Sequence, residues 1–530
     1  MNRAHMLQRA IDRRDPWDMV VVGGGATGAG VAVDAAARGY QVLLLERGDF
    51  GGGTSSRSTK LVHGGVRYLR QGHVGLVLGA LRERGRLLRN APHLVHDLPF
   101  VLPCYRRRDV AFYAFGLKAY DLLAIQGGFA RSRVISATEV RRLLPTLQTQ
   151  SLRGGVVYHD GQFDDARLLI HLIRTAVGLG ATVLNYAPVS GLTRNPDGRV
   201  GGVIMRDTEG GSEYTMAARV VVNAAGPFCD GLRRMADPAA PPLVTASRGS
   251  HIILEPSFLP GNHALLIPTT SDGRVLFAIP WHGHTLVGTT DVRIADVPVE
   301  PRATTDDIAY ILETAGRYLA RQPQCADVLS AFAGVRPLVT GAGGETASLS
   351  RDHTIRTDQA GLVTITGGKW TTYRGMAEEC VSIAADLAGL PRRPCLTREM
   401  PLHGYHPTAG VFGPLAVYGS DAPEILAIMA RDPALATPLH PALPYSGAEV
   451  VWAVRAEMAR TIADVLARRL RALFLNAAAA IAMAPRVAEL MARELGRDAA
   501  WEAEQVRTFG ELARGYLVQK QDLTGSCMRR

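Results

Sequence analysis

The stretch DMVVVGGGATG, Asp18 to Gly28, limits what the chain can fold into more than any other. A short apolar run ending in glycines reads as a buried parallel strand, since a strand covered on both faces needs no polar alternation. An apolar helical pattern follows through Ala37, Gly39 stops it, and a second strand, Gln41–Leu45, ends on Glu46. This is a βαβ start, so the fold class is α/β. Gly23, Gly25 and Gly28 fall at GxGxxG spacing. The first permits a tight turn, the second lets backbone approach a pyrophosphate, and the third lets helix pack on strand. Ala26 and Thr27 open the helix, whose unpaired N–H groups and dipole favour phosphate. Glu46 stands where a carboxylate accepts ribose hydroxyls. The spacing alone is a weak signal; with strand, helix and acidic terminus in place it points to a bound dinucleotide.

Later segments separate the flavin dinucleotide from the nicotinamide one. Arg219–Asn223 runs into Ala224-Ala225-Gly226-Pro227, and Leu362–Thr366 runs into Gly367-Gly368-Lys369 before a helix-like Met376–Leu387. Each brings glycine to a strand end, where backbone can lie against a flavin ring. A helix starting near Thr371 aims its positive end at the charge that grows on a reduced flavin. Taken singly, each is an ordinary glycine turn. Between them, 246–333 alternates apolar and polar residues around turns, as in SHIILEP and HTLVGTTDV, and reads as an antiparallel sheet. Beyond Pro391 and Pro394, Val450–Leu475 and Pro485–Leu517 read as amphipathic helices. The expected division is a discontinuous FAD-binding domain (15–90, 152–245, 334–390), a substrate domain (91–151, 246–333) and a helical C-terminal domain (391–530).

The 530-residue length suits two or three cores. The longest charge-free stretches, Val20–Val33 and Ala472–Pro485, are too short to span a bilayer. The first fourteen residues are basic without an apolar segment, which argues against a secretory signal and leaves a transit peptide open. Six scattered cysteines with no CxxC pair favour reduced thiols over disulfides or a metal site, so no metal is expected. The net charge of +10 could serve nucleic acid, lipid or an anionic small molecule. No nucleic-acid module or basic-aromatic platform accompanies it, so no nucleic-acid partner is expected.

One further stretch, TSSRSTKLVHGGVRYL (54–69), concentrates hydroxyls, cations, a histidine and a glycine pair. With VVVGGGATGAGVAVDAAARG, LLLERGDF, VVNAAGP, GTTD, FAGVRPL, SRDH and GGKWTTYR, in that order over roughly 15–390, it resembles the FAD-dependent glycerol-3-phosphate dehydrogenases among the glycine/D-amino-acid oxidase-like flavoproteins. The resemblance implies oxidation of sn-glycerol 3-phosphate to dihydroxyacetone phosphate, with electrons passing through FAD to a membrane quinone. It implies phosphate-binding cations at Arg336, Arg351 and Lys369, and puts His63, Arg67 and Tyr68 on the substrate side of the flavin. Arginine forks grip phosphate oxygens in pairs, whereas lysine acts as a point charge. The base that takes the hydroxyl proton is left open between His63 and His251. The cofactor contacts expected beyond the fingerprint are Thr54, Ser55, Ser58, Lys60, Val189, Ala225, Gly226, Gly334, Gly368, Lys369, Trp370 and Thr371.

The segment Cys104–Ile125 puts the basic cluster Arg106-Arg107-Arg108 before an aromatic and aliphatic run, as in a helix lying on anionic lipid. A buried helix is the alternative. RERGRLLR, Arg82–Arg89, reads as a solvated helix face. Members of the resembled family sit peripherally on the inner face of the cell membrane, and a homodimer is expected from the same likeness. Mitochondrial members carry calcium-binding EF-hands, and no DxDxDG loop occurs in this sequence, which points to the bacterial type. Glycerol-3-phosphate oxidases, which pass electrons to O₂ and release peroxide, share most of these motifs and stand as the alternative.

Overall fold

The computed structural model describes residues 1–65, 74–123, 129–268, 270, 275–340 and 353–518. Its first sheet holds eight strands, with His353–Thr357, Val363–Gly367, Glu213–Asn223, Trp17–Val22, Val42–Leu45 and Thr182–Leu184 side by side in that order. Trp17–Val22 lies at its centre, parallel to both neighbours, in the registers Val22↔Asn223 and Val22↔Leu45. Its apolar run is buried nearly throughout, as a strand covered on both faces requires. Glu213–Asn223 is in turn parallel to Val363–Gly367, with Asn223 opposite Thr364. The glycine turns after these strands therefore meet at one edge, outside the carboxyl ends, where open α/β sheets bind ligands.

The helix Ala26–Ala37 packs between the sheet and two others, Asp165–Gly178 and Tyr373–Leu387. It can approach closely because its inner face is glycine, alanine and valine.

A second sheet of ten strands carries the antiparallel pairs expected for 246–333. Three of its members depart from the expected division, the short Leu61–Val62 of the assigned 15–90 among them. Gly154–Phe163 pairs along its whole length with Val95–Cys104, and Ser330–Val339 pairs with Val244–Leu254. Chain assigned from 152 and from 334 to the cofactor domain thus begins with strands of the other sheet. Both strands are buried on both faces, so periodicity does not reveal which sheet each joins; distant pairing decides that.

Arg107–Leu123 is a helix, as the amphipathic reading requires. Val74–Asn90 is also a helix, but RERGRLLR does not form a solvated face on it. Arg84 is 1% exposed and bonded to Asp160, and Glu83 forms a two-point pair with Arg374, both bonds 2.8 Å. Opposite charges on distant segments draw this face inward, which a count of charges along the helix does not show.

The C-terminal part is helical at Gly447–Glu457, Ala477–Leu495 and Ala499–Arg514. Pro485, read as a helix start, lies inside Ala477–Leu495. The helix begins earlier because Asn476 caps it, its side chain accepting from the Ala479 N–H. Buried ion pairs weld this region to the cofactor sheet: Asp49 accepts from Arg468 and Arg469, Glu457 from Arg167, and Asp165 from Arg471 at 3.2 Å.

Candidate functional site: a dinucleotide cavity and its polar roof

A cavity of about 1230 Å³ opens at the carboxyl edge of the first sheet. Gly23, Gly25, Ala26, Thr27 and Glu46 line it, with Thr54, Ser55, Val189, Ala225, Gly226, Gly368, Lys369 and Trp370. Two of the fingerprint glycines are required for space. Gly23 has φ +114°, and a Cβ there would lie 2.5 Å from the Ala224 carbonyl oxygen. A Cβ on Gly28 would lie 1.9 Å from the Gly23 oxygen, so Gly28 closes the turn without lining the cavity.

Glu46 accepts the Gly24 N–H at 2.7 Å and the Gly48 N–H at 2.9 Å, which aims its carboxylate into the cavity mouth. Ser55 Oγ accepts the Ala26 N–H at 2.9 Å, placing a hydroxyl at the helix N-terminus. The turn Thr54–Ser56 is itself tied down: Thr54 Oγ1 donates to Val335 O at 2.5 Å and Trp370 Nε1 to Ser55 O at 2.8 Å. Helix dipole, fixed hydroxyls and a ribose-height carboxylate make a site that fits a pyrophosphate-linked dinucleotide.

Other expected contacts turn away. Lys60 is fully buried, and its ammonium donates to Asp165 at 2.7 Å and to Ser56 O at 2.9 Å. Ser58 Oγ donates to the same carboxylate at 2.7 Å. A buried carboxylate already paired with Arg471 draws both inward, and the unbroken polar run SSRSTK carries no sign of it. Gly334 makes room for the backbone of Arg57, whose oxygen would lie 2.9 Å from an added Cβ. Thr371 is buried and pins the neighbouring chain, its Oγ1 accepting the His63 N–H at 3.1 Å. The segment from Trp370 to Thr372 is a 3-10 turn, and the helix expected near Thr371 starts at Tyr373.

The substrate-side candidates gather on the second sheet. His251 and Arg336 lie on paired strands, where Ser247 faces Arg336, Gly249 faces Gly334 and His251 faces Phe332. Alternate positions share a face, so the Arg336 guanidinium lies over Gly249, where a Cβ would meet it at 2.3 Å. Arg336 donates to Thr290 O at 3.1 Å and Thr289 Oγ1 at 3.0 Å, with Asp291 at 3.4 Å.

His251 is 2% exposed and stacks on Phe332 with ring centres 4.9 Å apart. Its Nε2 is 3.0 Å from Thr59 Oγ1, and its Nδ1 has no hydrogen-bond partner among the described residues. Burial, reinforced by the charges of Lys60 and Arg336, holds its pKa well below the ordinary 6.5. Arg67, Tyr68 and Arg351 lie outside the described residues.

Sequence reasoning passed over Arg47 and Phe228. Both line the cavity, with the guanidinium 3.9 Å from the ring centre. Arg47 follows the acidic strand end and Phe228 follows NAAGP, but only the fold brings them together.

Residues 18–380 match the family described as FAD dependent oxidoreductase. The chain belongs to this family. Residues 395–502 match the C-terminal domain of alpha-glycerophosphate oxidase. Among curated relatives, the mitochondrial glycerol-3-phosphate dehydrogenase of Arabidopsis thaliana is 40% identical over 96% of this chain and 87% of its own length. The human mitochondrial enzyme of that name is 39% identical over 96% of this chain and 75% of its own. Among solved structures, the FAD complex of the glycerol-3-phosphate dehydrogenase from Bacillus halodurans aligns with TM-score 0.80 and 29% identity over 97% of both chains. The L-α-glycerophosphate oxidase of Mycoplasma pneumoniae aligns with TM-score 0.56 and 17% identity over 73% of this chain, a likeness of fold. The cofactor is FAD, and the residues that line the Rossmann-type cavity fit it.

Proposed function

We propose that the chain oxidises sn-glycerol 3-phosphate to dihydroxyacetone phosphate. The observation that carries the reading is the pair His251 and Arg336, an imidazole and an arginine fork on one face of paired strands, Arg336 being next to Pro337 of the cavity wall. FAD, when bound, supplies the two-electron acceptor for the hydride that leaves carbon 2. His251 takes the hydroxyl proton in this reading, its Nδ1 having no hydrogen-bond partner among the described residues. Thr59 orients the ring through Nε2, and Phe332 fixes its plane. Arg336, with Lys369 at the cavity wall, holds the phosphate and offsets the alkoxide charge as it forms. Arg67, Tyr68 and Arg351 complete the set in this reading. His63 is kept for shaping the flavin's edge, since its backbone is locked to Thr371.

Electrons then pass to a membrane quinone. Support comes from the helix Arg107–Leu123, on which Phe112, Phe115 and Leu122 are 58, 82 and 70% exposed. Single exposed apolar residues are common, but three on one helix after a triple-arginine lead-in suit an anionic lipid surface. No helix among the described residues is long and apolar enough to cross a membrane. A peripheral enzyme on the inner face of the cell membrane is therefore the reading adopted. The homodimer in it rests on the family resemblance alone.

Turnover with glycerol 3-phosphate and a short-chain quinone, with peroxide measured alongside, tests the acceptor. Quinone reduction with only traces of peroxide is expected. Stoichiometric peroxide would make the protein an oxidase.

A further inference from the structure

The C-terminal helical region reaches the cofactor turn from behind, and one of its contacts is a single hydroxyl. Tyr516, just past the helix Ala499–Arg514, is 2% exposed, and its OH donates to Glu300 at 2.6 Å while accepting from Arg57 Nη1 at 2.6 Å. Arg57 Nη2 donates to Glu300 at 2.7 Å and to the Gly52 carbonyl at 3.2 Å. Tyr516 is held in turn: its carbonyl accepts the Ala331 N–H at 2.9 Å, and its ring meets Phe474 edge-on at 5.5 Å.

Arg57 sits immediately behind the cavity wall. Its N–H closes the Thr54–Ser56 turn at 3.1 Å, and Gly52, Gly53, Thr54 and Ser55 all line the cavity. The side of the turn away from the cavity carries a second bond from the same region, Arg471 Nη2 to Ser56 O at 2.7 Å. The turn that faces the dinucleotide is thus clamped from behind by residues more than 400 positions later.

We propose that Tyr516 is a positioning residue for the flavin, its hydroxyl fixing Arg57 and, through Arg57, the Gly52–Ser55 turn against which FAD lies. The chemistry follows from what a phenylalanine would leave behind. Arg57 is 4% exposed, so losing the hydroxyl strands a charged donor with no water to replace it. Nη2 keeps Glu300 and Gly52, and Nη1 can regain a partner by turning toward the Glu300 oxygen that the phenol releases, at the more exposed end of the triad. That swing pulls on the Gly52 carbonyl and on the turn. The inference rests on FAD occupying this cavity, and it does not depend on which substrate reduces the flavin.

The test is the rate of FAD release from the holoenzyme after dilution, followed by the rise in flavin fluorescence with no substrate present. Tyr516→Phe keeps the ring against Phe474 and is expected to speed release about 10-fold, the scale of one lost charge-assisted hydrogen bond. Glu300→Gln should act in the same direction, and the double variant should release no faster than the more severe single one, because the three groups act as one unit. Phe509→Leu, a buried change on the same helix with no bond to the turn, should lower the melting temperature and leave release unchanged. Release from Tyr516→Phe within twofold of the parent, or equal acceleration by Phe509→Leu, would overturn the proposal.

Discussion

His251 is a histidine that its surroundings keep uncharged, and the pH dependence of the enzyme should show it. A base must be neutral to accept a proton, and burial beside Lys60 and Arg336 keeps this one neutral below the ordinary 6.5. The acid limb of kcat/KM is therefore expected to lie below pH 6.5, and a limb at or above it would remove His251 from the role. His251→Asn should lower kcat by about 10²- to 10⁴-fold, the usual worth of a positioned general base, with flavin content unchanged. Arg336→Ala should raise KM for glycerol 3-phosphate by about 10- to 100-fold, as loss of a charge-assisted pair predicts. An unchanged KM in steady-state kinetics would take Arg336 out of the phosphate site.

Which residues line the cavity was legible where backbone decides it. Gly23, Gly25, Glu46 and the glycines after Asn223 and Thr366 follow strand ends, and local sequence carries that information. Side chains in an irregular loop were another matter. Thr54 and Ser55 reach the cavity, while Ser58 and Lys60, a few positions on, turn to Asp165. Only the distant carboxylate separates the two groups, and no periodicity marks it.

At the scale of elements, the helix Val74–Asn90 shows how charge misleads. Arg84 and Asp160 form a buried pair, and Tyr120 donates to the same carboxylate at 3.1 Å. Removing one partner of a buried pair leaves the other charge uncompensated, at a cost of about 3–5 kcal/mol. Arg84→Ala should thus lower the melting temperature far more than Arg82→Ala, two residues earlier and exposed. Equal shifts in a thermal melt would contradict the buried pair. The helix Arg107–Leu123 gives the opposite case, since Phe112, Phe115 and Leu122 face outward while Leu117 and Tyr120 face the core. Phe115→Ser is expected to weaken sedimentation with anionic vesicles while leaving turnover with a soluble acceptor intact. Unchanged sedimentation would remove this helix from the lipid contact. Helices and strands were mostly legible from apolar period and glycine punctuation, but sheet membership was not. Gly154–Phe163 and Ser330–Val339 are buried on both faces, and such strands carry no mark of their partners.

Across the whole molecule, a histidine cluster joins the C-terminal region to the cofactor sheet. His93 Nε2 lies 2.9 Å from His171 Nδ1, and the His171 and His403 rings meet edge-on at 5.7 Å. His403 bonds Asp421 at 2.9 Å, and Arg174 pairs with the same carboxylate. Burial, with the positive potential of neighbouring histidines and Arg167, lowers His93 to about 4 and holds His171 below its ordinary value. Both bind protons more readily unfolded than folded, so stability is full above the unfolded value of 6.5 and declines as pH falls toward 4. The melting temperature should drop between pH 7 and pH 5, and His93→Gln should shrink that drop. A profile unaffected by the substitution would place the acid sensitivity elsewhere.

The central claim is that this flavin is reduced by a phosphorylated alcohol held at Arg336 and deprotonated at His251. Anaerobic mixing of the yellow holoenzyme with sn-glycerol 3-phosphate, read as the flavin absorbance spectrum, tests it most directly. The account predicts bleaching by glycerol 3-phosphate, none by glycerol, and greatly slowed bleaching in His251→Asn. An oxidised spectrum that persists with glycerol 3-phosphate, or equal bleaching by glycerol, would contradict it.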